Sequence, residues 1–302
     1  TPEYSSAASD VYKRQVRCSC VREEPTMTAE VWMGYLVDHH DEFTVVQSPF
    51  VLDGQRVFGA DSDATTLAVA AVLHRLQHDA IDSISIPEGM DGESLSSATG
   101  VVLHELETED HPSWEVLMSD EATVVVARHG ASVVLETLDV EVKVDEAFHQ
   151  AINEAWQSEL SEAHVSQGAY VSRAQYMEAA ASRLSMRGHI SENCVEWPPR
   201  FSHMVGGEQP PHLQLQRTGK VQSWTTLSAA GAPSEFSLRA PILGGISTVF
   251  LALDDGPNGV FLTVDDEEPT LEMDAQMELV FRRLYAQEGF VRYGLKARAI
   301  HG

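Results

Sequence analysis

TGKVQSWTTL, residues 218–227, opens a run of strand-like segments that continues to the end of the chain. ISTVFLALD (246–254), GVFLTVD (259–265), QMELVFRRLY (276–285) and GFVRYGLKARAI (289–300) follow it. Each is rich in β-branched or aromatic residues, and Gly, Pro and Asp punctuate the gaps. Five such segments within about 80 residues predict a small closed or partly open β-barrel.

Just upstream lies HISENCVEWPPRFSHMVGGE, residues 189–208, which has the shape of a small zinc ribbon around a Pro-Pro-Arg turn. Together with GKV-x-SWTT, PSEF, RAPI, LALDDGP and the G-x-V-E-L-x-F-like strand at 276–283, it resembles the DUF35 family over about residues 186–300. That family pairs a rubredoxin-like zinc ribbon with an OB-fold barrel, so the resemblance implies this order here. Its four ribbon cysteines fall on His189, Glu192, His203 and Gly206, with Cys194 displaced by two residues. A closed structural zinc site needs four good donors. The resemblance therefore implies a ribbon whose remaining donors (His189, Glu192, His203, Cys194) have lost their zinc.

The family associates with thiolase-fold enzymes, and its OB domain helps to hold coenzyme A or acyl-CoA. The resemblance thus implies a non-catalytic acyl-CoA-binding or bridging subunit of a thiolase or hydroxymethylglutaryl-CoA synthase-type complex. Coenzyme A needs basic and aromatic contacts, and the candidates in the matched segment are Trp224, Phe236, Arg239, Arg282 and Arg283. Trp224, a large aromatic in a strand, is expected in the core. Arg239, in a loop ahead of Ala240-Pro241, is expected to be accessible to phosphate.

The first half reads as α/β. EVWMGYLVDHHDEFTVV (30–46) suggests two strands around an acidic turn, and residues 61–79 a helix capped by Asp61 or Ser62. IDSISIP (81–87) reads as a buried strand, GMDGESLSSATG (89–100) as a loop, and 122–128 with 132–142 as a hairpin. Residues 145–162 and 172–184 carry helical periodicity. The helix at 61–79 and the DEATVVVARHGASVV stretch resemble parts of thiolase-fold enzymes. A thiolase nucleophile is a cysteine thiolate, and residues 21–193 contain none. This half is expected to be a degenerate, non-catalytic thiolase-like domain. The expected boundaries are a disordered or non-native leader at 1–26, the thiolase-like part at 27–165, a helix with the ribbon at 166–218, and the OB-fold at 219–302.

Composition narrows the partners. The chain has 302 residues, with 46 acidic against 20 basic and a net charge of −26; only four of the basic residues are lysines. Such a surface is expected of a salt-adapted protein, whose self-repulsion is screened in concentrated salt, with a merely acidic protein as the alternative. Nucleic-acid binding needs clustered Lys and Arg, and only Arg282-Arg283 are adjacent in the expected folded part. The three cysteines give no disulfide framework, and no apolar run reaches a membrane span. A cytoplasmic protein is expected. A divergent acyl-CoA transferase or synthase is the alternative reading, with an OB-fold nucleic-acid binder behind it. His74 and His78 share the i, i+4 spacing of a metal-binding pair but lack a third ligand in the sequence, and Asp265 to Glu268 form an acidic turn.

Overall fold

The computed structural model describes residues 30–104, 112–136, 138, 140–162, 164, 173–191, 194–198, 211–267 and 271–300. In chain order, β1 (Glu30–Trp32), β2 (Tyr35–His39) and β3 (Phe43–Gln47) form a meander, followed by the short β4 (Phe50–Leu52) and β5 (Gln55–Arg56). Then come α1 (Ala64–Arg75), β6 (Ser83–Ser85), α2 (Gly92–Thr99), β7 (Val102–Leu103), β8 (Trp114–Ser119), β9 (Thr123–Arg128) and β10 (Val142–Lys143). Two helices, α3 (Glu146–Glu159) and α4 (Arg173–Leu184), lead to β11 (Arg187–Ser191), β12 (Cys194–Glu196) and β13 (His212–Gln214). The last third holds β14 (Thr218–Leu227), α5 (Ala240–Leu243), β15 (Ile246–Leu253), β16 (Asn258–Thr263), β17 (Gln276–Gln287) and β18 (Phe290–Ala299).

The final five strands close into a barrel in the order β14-β15-β16-β18-β17. All its pairings are antiparallel except β16 with β18. This is an OB-fold-like barrel, as the segment pattern predicts. β11, β12 and β13 form a separate three-stranded antiparallel sheet at the expected knuckle, with a cis Trp197–Pro198 bond. Trp197 stacks on Phe261 of the barrel at 6.1 Å between ring centroids.

The N-terminal part is a mixed seven-stranded sheet, order β1-β2-β3-β9-β8-β6-β7. Four sequence expectations change here. Residues 30–46 make three strands, because Met33 and Gly34 both take positive φ and turn the chain early. The helix cap is Asp63, whose side chain accepts from the Thr66 amide in a capping box. Residues 92–99 are helix rather than loop, since Asp91 caps the Ser94 amide and Gly100 ends the turn in the left-handed region. The hairpin at 122–142 does not form: β9 pairs instead with β3 and with β8, a strand the sequence reading missed. Val142 and Lys143 pair parallel with β4.

Helix α1, ATTLAVAAVLHR, is buried along almost its whole length, which explains why its apolar residues run around the helix rather than along one stripe. It packs on β3 and β9 and also touches β17, so sheet and barrel share one continuous apolar core.

Candidate functional site: a cavity over a buried ionic network

Where the barrel meets the N-terminal part, acidic and basic side chains are buried together. Asp61, just before the Asp63 cap, is fully buried and lies 2.8 Å from Lys296 Nζ on β18 and 3.4 Å from Arg282 Nε on β17. Lys296 Nζ also donates to Asp265 Oδ1 at 2.7 Å. Asp265 in turn accepts from Arg239 Nη1 at 3.2 Å, and Arg239 Nε donates to Glu159 Oε1 of α3 at 2.9 Å. Asp266 completes the set: Arg282 Nε stands 3.9 Å away and the Ala60 amide donates to it.

Three cations thus face four carboxyls. Burial would raise the Asp61 carboxyl, but Lys296 and Arg282 outweigh it and hold the group below its ordinary value. Asp266 goes the other way. Burial and the neighbouring charge of Asp61 push it to about 8, against the pull of Arg282. This direction favours the protonated form of Asp266, which eases the excess of carboxyls over cations in the network. Gly59 permits this packing, because a Cβ there would sit 2.4 Å from Asp266 Oδ1.

Trp156 of α3 supports the network from below. Its ring lies between two guanidiniums, Arg239 at 3.9 Å and Arg283 at 4.2 Å, and its Nε1 donates to the Ala60 carbonyl at 2.7 Å. Such stacking suits the planar, weakly hydrated Arg head better than Lys.

Above this floor opens a cavity of about 640 Å³. Phe50, Phe58, Phe148, Phe236, Ile242 and Leu243 give it apolar lining. Lys296, Asp265, Asp266 and Arg239 of the network also line it, as do Lys143 of β10 and His149 of α3. Lys143 is exposed and makes no ion pair with a described residue. Burial lowers the His149 ring below its ordinary value, favouring the neutral imidazole.

The predicted ligand residues divide. Phe236 and Arg239 line the cavity; Trp224, Arg282 and Arg283 do not. Arg239 is not an accessible loop residue: it is fully buried, and besides its two carboxylates it donates to the Leu284 carbonyl at 2.7 Å. Arg282 is buried in the network and donates to the Met33 carbonyl at 2.8 Å, pinning the β1–β2 turn to the barrel. Arg283, also buried, lies 3.9 Å from Asp63. Trp224 is 41 % exposed rather than core, because the second half of β14 is open to solvent.

Of the ribbon donors, His189 sits on β11 and the exposed Cys194 on β12, while Glu192, His203 and Gly206 lie outside the described residues. Sequence reasoning missed Lys296, took Asp61 for a helix cap, and read Asp265 and Asp266 as part of an acidic surface turn. The three carboxylate side chains are instead buried against Lys296, Arg239 and Arg282. A lysine flanked by Leu295 and Ala297 within a barrel strand was the available signal for Lys296. A scan against protein-family models finds no match, and a search of curated proteins finds none either.

Proposed function

We propose that this chain is a non-catalytic binding subunit that holds the acyl chain of an acyl thioester, such as acyl-CoA, and bridges to a thiolase-fold enzyme of the acetoacetyl-CoA thiolase or hydroxymethylglutaryl-CoA synthase type. The observation that carries this reading is the cavity of about 640 Å³, lined by aromatic and aliphatic side chains together with charged residues of the buried network. Its size falls in the range of small-molecule sites, roughly 300–1,000 Å³. The buried cations at its floor are matched by carboxylates, so the floor is suited to an acyl carbonyl rather than to phosphate. The phosphates of coenzyme A would stay at the rim, near Lys143, or meet cations of the partner. Exposed Trp224, Leu227 and Val260 give the barrel an apolar outer surface for such a partner. The resemblance of the N-terminal part to the thiolase fold belongs to the same reading.

Calorimetric titration with acyl-CoAs of increasing chain length tests the proposal. Burying each added CH₂ contributes about 0.8 kcal/mol, so affinity should climb about fourfold per methylene until the cavity is full. Ile242→Trp, which narrows the cavity, should end that dependence at a shorter chain length. Equal affinity for free coenzyme A and long-chain acyl-CoA would overturn the reading.

One observation favours an enzyme instead. Asp266, whose carboxyl burial and Asp61 push up to about 8, borders the cavity as a general acid would. Thioester turnover by the isolated chain, lost in Asp266→Asn, would favour this second reading.

A further inference from the structure

At the opposite edge of α1, three histidines converge. His74 is on the last turn of α1 and His78 on the turn that continues it, while His39 ends β2. One ligand-capable atom from each lies within 4.8 Å of the others, and among the described residues no other group of at least three His, Cys, Asp or Glu side chains does this. The rings are 4.2 to 5.3 Å apart, centroid to centroid. The fold thus supplies the third ligand that the i, i+4 pair lacked in the sequence.

The hydrogen bonds leave nitrogens to bind with. His74 is 1 % exposed; its Nε2 lies 3.3 Å from Glu30 Oε2, whereas its buried Nδ1 has no hydrogen-bond partner. A buried polar atom left unsatisfied costs about 1–3 kcal/mol, and a metal ion would satisfy it. With Nε2–H given to Glu30, Nδ1 carries the lone pair. This is the carboxylate–histidine arrangement that fixes the tautomer of a metal ligand. His39 Nδ1 is held 3.0 Å from Thr44 Oγ1, which leaves Nε2. The Arg75 guanidinium is turned to the His40 and Asp41 carbonyls and to Asp79.

We propose that His39, His74 and His78 bind a divalent transition-metal ion of the zinc class. Three imidazoles without a thiolate suit Zn²⁺ and its neighbours Co²⁺, Ni²⁺ and Cu²⁺, and exclude a preference for Mg²⁺ or Ca²⁺. Zn–N bonds of about 2.0–2.1 Å in a tetrahedron set nitrogen separations near ~3.3 Å. Closing the cluster therefore needs at most ~1.5 Å of movement, within reach of the exposed His39 and His78 side chains. Both exposed ligands lie on the solvent side, so the fourth position faces water, as in sites that use bound water. The dense negative charge of the chain adds a general attraction for cations.

The test uses the untagged full chain, stripped with chelator and titrated with Zn²⁺ alone, followed by calorimetry and thermal melting. Co²⁺ absorption reports the donors. The expected result is a single tight equivalent, a raised melting temperature, and a cobalt spectrum without a thiolate charge-transfer band. His39→Ala with His78→Ala should abolish binding; both residues are exposed, so the fold should survive. Glu30→Gln should weaken binding about 10- to 100-fold. His189→Ala with Cys194→Ser, on the ribbon, should leave it unchanged. No binding, or binding that survives loss of His39 and His78 but not of His189 and Cys194, would overturn the proposal.

Discussion

Lys296 Nζ lies 2.8 Å from Asp61 Oδ2, and this contact joins the last barrel strand to the residue that introduces the buried helix α1. Neither residue has more than 1 % of its surface exposed. Removing one partner of such a pair leaves an uncompensated buried charge. Lys296→Met should therefore destabilise the fold by about 3–5 kcal/mol. The double variant Lys296→Met with Asp61→Asn should recover part of that loss, measured by chemical denaturation. A loss below ~1 kcal/mol in the single variant would mean that water reaches the pair.

The raised carboxyl of Asp266 makes stability depend on pH in a defined window. The folded state holds the proton up to about 8, whereas the unfolded chain releases it near the ordinary 3.8. Between those values the folded state binds more protons, so the contribution of Asp266 is full in acid and is lost as pH rises through about 8. Asp61, held low, acts oppositely: its contribution is present at neutral pH and is lost in acid. Asp266→Asn keeps an acceptor for the Ala60 amide but cannot ionise. Its stability relative to the parent should rise steadily from about pH 5 to pH 8. A constant difference across that range would show that Asp266 titrates normally.

The barrel was legible in the sequence because each strand alternates side chains under a short turn, a local pattern. α1 was legible for the same reason, through its apolar repeat. The pairing of β9 with β3 and β8 was not. The pairing with β3 depends on contacts distant in sequence. The pairing with β8 is a local hairpin through residues 120–122, passed over because the glycine at 130 made a downstream hairpin look sufficient. The floor of the cavity was hidden for a related reason. Asp61, Lys296 and Arg239 each look like solvated residues in a chain of this charge, and only the closure of the barrel against α1 and α3 takes them out of water. Arg239 was at least singled out, although for an exposed role that its burial contradicts.

Gly59 offers a steric check on that closure. A Cβ there would meet the Asp266 carboxyl at 2.4 Å, closer than any tolerated contact. Gly59→Ala should cost about 1–3 kcal/mol through overpacking and should disturb acyl-chain binding at the same wall. Gly54, where a Cβ meets nothing but φ is +82°, is not equivalent, since its replacement strains the backbone alone. A wild-type melting temperature in Gly59→Ala would argue that Asp266 moves freely.

The net charge of −26 bears on the whole surface. At low ionic strength carboxylates repel one another over roughly 10 Å or more, and at 1 M salt over about 3 Å. The melting temperature should climb steeply as KCl rises into the molar range, because screening relieves the surface while the buried network is little affected. A flat response from dilute buffer to multimolar KCl would remove the case for salt adaptation.

Arg239 separates a structural from a ligand-binding role. Its guanidinium already serves Glu159, Asp265 and the Leu284 carbonyl, and it stacks on Trp156. Burial pushes the Glu159 carboxyl up, and Arg239 opposes that. Arg239→Ala would leave Glu159 without its cation and Asp265 with Lys296 alone, so it should lower stability by about 3–5 kcal/mol. Arg239→Lys should rescue little, because a point charge cannot reproduce the planar fork or the stacking. Acyl-CoA affinity, measured below the unfolding transition, should then fall only as far as the cavity wall is disturbed. If Arg239→Ala instead left the melting temperature unchanged and cost acyl-CoA binding tenfold, about 1.4 kcal/mol, the guanidinium would be a phosphate ligand and the buried network would not be what holds it.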